Sequence, residues 1–239
     1  MVNKKIKSDN SYHRKLMFDV LKDIFDSKIK HDIALKWWTL CMFLYGLDRF
    51  SVDLDFDIIN AKASLSEIKN ITKKKLEKYW KIIQETNTKL ILKYNDNQIP
   101  LKLEFNTRFY KYNVYSVENL FGISISTMTK DCIFSNKLVA LSERKQKNNK
   151  IASRDLYDIR FFFKNKRPIN DDLIIERTWR TTKSYLESLI PFISINFNRE
   201  NILRWLGELV SEKQKFFIKN KLINEVLSQI DFYIRNDNK

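Results

Sequence analysis

Between residues 52 and 58 the chain alternates without a break, Val-Asp-Leu-Asp-Phe-Asp-Ile. A period of two belongs to a β-strand, whose successive side chains point to opposite faces. One face then carries Asp53, Asp55 and Asp57, and the other Leu54, Phe56 and Ile58. Like charges two residues apart on one face repel, and no cation lies between them in sequence, so the face needs a metal ion or a basic partner. Hard divalent ions with oxygen ligands are the natural compensation. Two carboxylates at this spacing can share two ions ~3.5 to 4 Å apart, one activating an attacking oxygen and one bridging a triphosphate and its leaving group. A solvated sheet edge is the competing reading, because Asp-x-Asp is short and common.

The surrounding periods give the expected architecture. A helix is predicted over residues 11–27, where Met17, Val20, Leu21 and Ile24 recur at helical spacing and Asp9 or Ser11 offers a cap. A short strand over 33–37, a helical turn or two over 39–45 and the alternating strand follow. A helix over 64–84 is expected to bury Leu65, Ile68, Leu76, Tyr79, Trp80 and Ile83 and to expose Lys73, Lys74 and Lys75. Strands over 89–94 and 99–106 flank Asn95, Asp96 and Asn97, residues that favour a tight turn, so the segment reads as a hairpin. A further strand pair covers 114–126. From about residue 135 the period is helical, with a lysine-rich loop at 144–150. Ile202, Trp205, Leu206, Leu209 and Val210 form one face there, and Ile223, Val226, Leu227 and Ile230 another. The fold class expected is α+β, with a mixed-sheet domain over 1–130 and a helical bundle over 131–239.

Of the 239 residues, 44% are hydrophobic and 31% charged, the profile of a globular protein. The longest apolar stretch, residues 37–47, is well short of the ~20 a membrane helix needs. The basic N-terminus leads into Ser8, Asp9, Asn10 and Ser11 where a signal peptide would be apolar. The expectation is a cytoplasmic protein with no membrane segment. Cys41 and Cys132 form no CxxC pair and read as small buried residues. His13 and His31 precede the acidic strand and read as surface or packing histidines rather than bases. The net charge of +15 has two readings: a field that draws polyanions such as nucleic acid, or the Lys- and Asn-rich bias of an AT-rich genome.

The stretch LKWWTLCMFLYGLDRFSVDLDFD resembles the AbiEii-type nucleotidyltransferase toxins of the DNA polymerase β-like superfamily, whose motif runs roughly KGGTAL, a helical stretch, YG, then RFSEDLDF. Lys36, Thr39, Leu40, Tyr45, Gly46, Arg49, Phe50, Ser51, Asp53, Leu54, Asp55 and Phe56 match it in order. Downstream, SNKLVALSERK and RDLYDIRFF resemble the family's helical motifs and place Lys137, Arg154, Asp155 and Asp158 in matching positions.

The resemblance implies Mg²⁺- or Mn²⁺-dependent transfer of a nucleotide from a nucleoside triphosphate to an acceptor, either RNA such as tRNA or protein, and a cognate antitoxin as partner. It implies Asp53, Asp55 and a third carboxylate on a neighbouring strand as metal ligands. Glu104, in LKLEF, is the candidate, although the same pattern suits an exposed Lys102/Glu104 pair. Catalytic positions carried over are Asp53, Asp55, Glu104, Lys137, Asp155 and Asp158. Nucleotide-binding positions are Lys36, Trp37, Trp38, Thr39, Arg49, Ser51, Lys137 and Arg154. Lys137 would meet a phosphate as a point charge and Arg154 as a bidentate fork; capping and ion pairing at a helix start is the plainer reading of Arg154, Asp155 and Asp158.

One departure bears on activity. Trp37 and Trp38 stand where the family has Gly-Gly, which lets backbone amides approach the phosphates. An altered or lost nucleotide site, an engineered inactivation, an indole that stacks on a base, and simple core filling all fit the pair. The alternative function is therefore a pseudoenzyme of the same fold that binds nucleic acid or a partner protein. A helical interaction protein with solvated Asp53 and Asp55 is a second.

Overall fold

The strict alternation becomes the strand it predicts, β2 (Asp53–Ile58), at the middle of a mixed sheet. The computed structural model describes residues 2–79, 81–93, 99–148, 151–204 and 206–236. Contacts divide the chain into two compact units. The first holds Met1–Gly46, Phe50–Phe109 and Tyr115–Met128; the second holds Leu47–Arg49, Tyr110–Val114 and Thr129–Lys239.

The first unit is α/β in character. Helix α1 (Val2–Phe25) leads to β1 (Ile33–Lys36), α2 (Trp37–Leu44), β2 and α3 (Leu65–Leu76). Strands β3 (Lys81–Glu85), β4 (Lys89–Lys93), β5 (Leu101–Asn106), β6 (Tyr115–Leu120) and β7 (Ile123–Met128) complete the sheet in the order β3-β4-β5-β2-β1-β7-β6. β2 runs antiparallel to β1 and parallel to β5, so it is hydrogen-bonded on both sides. Its apolar residues Leu54 and Phe56 are fully buried, and Phe56 stacks on Phe105 of β5 at 5.5 Å. Met17, Val20, Leu21 and Ile24 of α1 are all excluded from solvent, as their spacing predicts.

In the second unit α4 (Lys130–Asn148), α5 (Ser153–Lys164), α6 (Asp171–Thr178), α7 (Thr182–Asn196) and α8 (Glu212–Asn236) pack on one another. Ile218, Leu222, Val226 and Ile230, each four residues apart, form the buried stripe of α8, with Ile223 and Leu227 beside it. Cys41 and Cys132 are buried and unoxidised. The fold is α+β, a mixed sheet with helices followed by C-terminal helices.

Several sequence expectations need correction. Helix α1 begins at Val2, not at residue 11, so Asp9 and Ser11 lie inside it rather than at its start. The helix expected over 64–84 stops at Leu76, and Lys81–Glu85 is a strand. Its adjacent β-branched Ile82 and Ile83 favour extended backbone, and Ile82 pairs with Leu92 of β4. Trp80 and the turn residues Asn95, Asp96 and Asn97 lie outside the described residues. The loop expected at 144–150 is helical through Asn148, with Arg144 tied to Asp155 at 2.8 Å; Asn149 and Lys150 lie outside the described residues. The face drawn through residues 202–210 is not an α-helix, only a 3₁₀ turn at Gly207–Leu209, although Ile202 and Leu206 are fully buried. Asn198 and Asn201 side chains bind local backbone there and offer it an alternative to the helical ladder. Trp205 is outside the described residues.

Candidate active site

Strand register decides which side chains share a face. In the parallel β2–β5 pair Asp53 lies opposite Lys102 and Asp55 opposite Glu104. Asp53, Asp55, Lys102 and Glu104 therefore line one face, and Lys36, opposite Asp55 across β1, joins them. The third carboxylate neighbours the Asp-x-Asp strand in direct register.

The charge problem posed by the sequence is met by lysines from other strands. Lys102 Nζ lies 3.1 Å from Asp53 Oδ2 and 3.3 Å from Glu104 Oε2, and Lys89 Nζ is 3.5 Å from the same Glu104 oxygen. Asp57 takes no part in the cluster: it accepts from Lys36 Nζ at 2.5 Å, Asn106 Nδ2 at 2.7 Å and the Tyr115 hydroxyl at 3.0 Å, and is buried. Burial pushes the Asp55 carboxyl above its usual range, and Asp53 and Glu104 add to the rise while Lys102 and Lys36 oppose it. Burial pulls the Lys102 ammonium down, but Asp53, Asp55 and Glu104 outweigh it and hold the group above its ordinary value.

Three carboxylates on adjacent strands are the hard oxygen donors that Mg²⁺ or Mn²⁺ takes, so the donor set fits such an ion in kind. Among the described residues no three acidic, histidine or cysteine side chains are arranged to hold a metal ion. The Lys102 ammonium lies between two of these carboxylates.

Thr39 and Ser51 brace the start of β2. The Thr39 hydroxyl donates to the Asp53 carbonyl and lies 3.0 Å from Ser51 Oγ, with both side chains buried. His13 is buried too, donates to the Val52 carbonyl at 3.2 Å and meets Phe50 edge-on. Burial lowers its pKa, which suits packing rather than base chemistry. His31 is exposed.

The two tryptophans differ. Trp38 is buried, 6% exposed, and fills the core. Trp37 opens α2 with φ +66°, the left-handed region that glycine enters freely and other residues enter at a cost of about 1–2 kcal/mol. Its ring lies 5.4 Å from Lys36 Nζ and 6.0 Å from the Trp38 ring. The backbone at 37 thus keeps a glycine-like conformation although the residue is Trp. Gly46, the surviving glycine of the motif, also has positive φ, +75°.

The remaining predicted residues belong to the second unit. Lys137 of α4 pairs with Asp155 of α5, Arg144 reaches the same carboxylate at 2.8 Å, and Arg49 grips Asp158 through Nε and Nη2. Lys137, Asp155 and Asp158 have no exposed side-chain surface; Arg154 is partly exposed. Burial drives Lys137 down to about 7 against the pull of Asp155 and Asp158. Burial also raises Asp158 despite Arg49, whereas Asp155, which burial alone would raise, is held below the usual carboxylate range by Lys137, Arg144 and Arg154. Sequence reasoning took Arg49 for a phosphate ligand and did not foresee its pairing, because its partner lies 109 residues away.

The model of the nucleotidyl transferase AbiEii toxin family, a type IV toxin–antitoxin system, matches residues 19–228. The chain belongs to this family. The crystal structure of JHP933 from Helicobacter pylori superposes with TM-score 0.60 at 20% identity, covering 95% of this chain and 92% of that one. A second H. pylori structure, described as a candidate nucleotidyltransferase, gives TM-score 0.58 at 20% identity with 94% of each chain covered. These neighbours share the fold. Comparison with curated proteins finds no match. AbiEii membership supports a nucleotidyltransferase role, and among the described residues no helix is long and apolar enough to cross a membrane.

Proposed function

We propose that this AbiEii-family chain transfers a nucleotide from a nucleoside triphosphate to RNA, tRNA foremost, with a protein acceptor as the other outcome, using Mg²⁺ or Mn²⁺ held by Asp53, Asp55 and Glu104. The observation that carries the reading is the register that sets Glu104 beside Asp55, two residues along from Asp53, on one face of β2 and β5. Bound there, a divalent ion would supply charge neutralisation at the phosphates and activation of the attacking oxygen.

The chain's own residues divide the rest of the work. Thr39 and Ser51 fix the backbone that presents Asp53, and Lys36, on the neighbouring strand β1, is the cation assigned to phosphate. Lys137, Asp155, Asp158 and Arg49 act as positioning residues, tying α4, α5 and the 47–49 segment together. The domain that transfers is assigned to residues 1–130 and the helical bundle, a platform for acceptor or antitoxin, to 131–239. The +15 charge favours a polyanionic acceptor. A cytoplasmic setting accords with an RNA substrate.

A second reading is favoured by Trp37: an indole at the phosphate loop would make the chain a pseudoenzyme that binds nucleic acid or a partner without transfer. Incubating the protein with labelled nucleoside triphosphates, total RNA and Mg²⁺ separates the two. Label on RNA that Asp55→Ala abolishes supports transfer. Absence of label on RNA and protein, with RNA still bound, supports the pseudoenzyme.

A further inference from the structure

Lys102 stands out because it sets a positive charge between the carboxylates of Asp53 and Glu104. It reaches two of the three carboxylates at once, at 3.1 Å and 3.3 Å, from the strand position opposite Asp53. Lys89 touches Glu104 alone, at 3.5 Å, from a more exposed position. An ammonium bridging two carboxylates lowers the repulsion among like charges and occupies their lone pairs. A divalent ion using those oxygens must break both contacts and then tolerate a positive neighbour.

We propose that Lys102 is a built-in counter-cation of the carboxylate cluster, which competes with divalent metal for Asp53 and Glu104 and sets how tightly the cluster takes it. The inference rests on the reading of Asp53, Asp55 and Glu104 as the metal site. It has a second consequence. The displaced ammonium needs a new anionic partner, and the phosphates of an incoming nucleotide supply one, so metal and nucleotide bind more tightly together than separately.

The test is Mn²⁺ binding to the full chain without nucleotide, followed by electron paramagnetic resonance of the free ion, for the wild type, Lys102→Met and Lys89→Met. The two variants remove the same charge, and circular dichroism checks that each remains folded. Lys102→Met should tighten Mn²⁺ at least about tenfold, and Lys89→Met less than about twofold, since only Lys102 bridges. Equal tightening in both would reduce the effect to net charge and overturn the bridge. No change, or weaker binding, in Lys102→Met would overturn it too while leaving the metal site standing. If none of the three proteins takes up Mn²⁺, and wild type stays silent even with a nucleoside triphosphate added, the metal site itself fails and the inference with it.

Discussion

Arg49 grips Asp158 through two parallel hydrogen bonds, Nε to Oδ1 at 2.6 Å and Nη2 to Oδ2 at 2.9 Å, with both side chains removed from solvent. Only a guanidinium offers that fork. Arg49→Met strands the Asp158 carboxyl in a buried site and should cost about 3–5 kcal/mol of stability. Arg49→Lys, which keeps the charge but not the fork, should recover part of it. Urea denaturation reads both, and a loss below about 1 kcal/mol in Arg49→Met would show the pair to be dispensable.

The Lys137–Asp155 pair predicts a pH signature. A carboxyl held below its unfolded pKa stabilises the fold at pH values above that unfolded value, ~3.9, and the gain is lost as pH falls through the folded value. Asp155→Asn should therefore be less stable than wild type by about 3–5 kcal/mol at neutral pH, with the gap closing below about pH 4. Lys137 acts in another window: with its pKa down at about 7, stability should rise with pH from there towards ~10.4, the unfolded value. Thermal melts across pH for wild type, Asp155→Asn and Lys137→Met check both signs. A gap that persists unchanged at pH 3 would contradict the first.

Asp55 sits among like charges, and burial together with Asp53 and Glu104 raises its pKa. Asp55→Ala should abolish nucleotide transfer while leaving the metal-free protein as stable as wild type or more so, because a repelled carboxylate has been removed. Full transfer by Asp55→Ala would remove Asp55 from the site.

The tryptophans should respond in opposite directions. Trp38→Gly opens a cavity in the core and should cost at least about 3–5 kcal/mol. Trp37→Gly relieves the positive φ and should cost little or nothing, offsetting the lost contact with Lys36. If the phosphate loop lies where the motif puts it, Trp37→Gly also tightens nucleotide binding. Calorimetric titration with triphosphate checks this, and equal affinity in both forms would place the cradle elsewhere.

Binding to RNA should weaken steeply with salt, since lysines and arginines that neutralise phosphates release counterions. A flat response between 50 mM and 200 mM salt in a filter-binding assay would assign the +15 charge to genome composition.

What the sequence made legible follows from locality. Alternation over residues 52–58 placed Asp53, Asp55 and Asp57 on one face correctly, and the spacing of Met17, Val20, Leu21 and Ile24 named a true core stripe. Lys102 was visible as a residue sharing a face with Glu104, but its contact with Asp53 depends on β2–β5 pairing across 49 residues, which no local period encodes. The same holds for Asp57, whose three partners come from β1, β5 and β6. The over-long helix at 64–84 arose because Ile83 fits a helical period, whereas its neighbours Ile82 and Gln84 pair with β4 in a hairpin.

Trp37 carries a consequence for heredity. Tryptophan has a single codon, TGG, and exchanging its first base for G gives GGG, which encodes glycine. The backbone at this position already has the torsion glycine favours, φ +66°. Restoring the family's residue at this position therefore asks for one base and no rearrangement of the main chain, so whatever the indole withholds or adds can be reversed by a point mutation within a growing population.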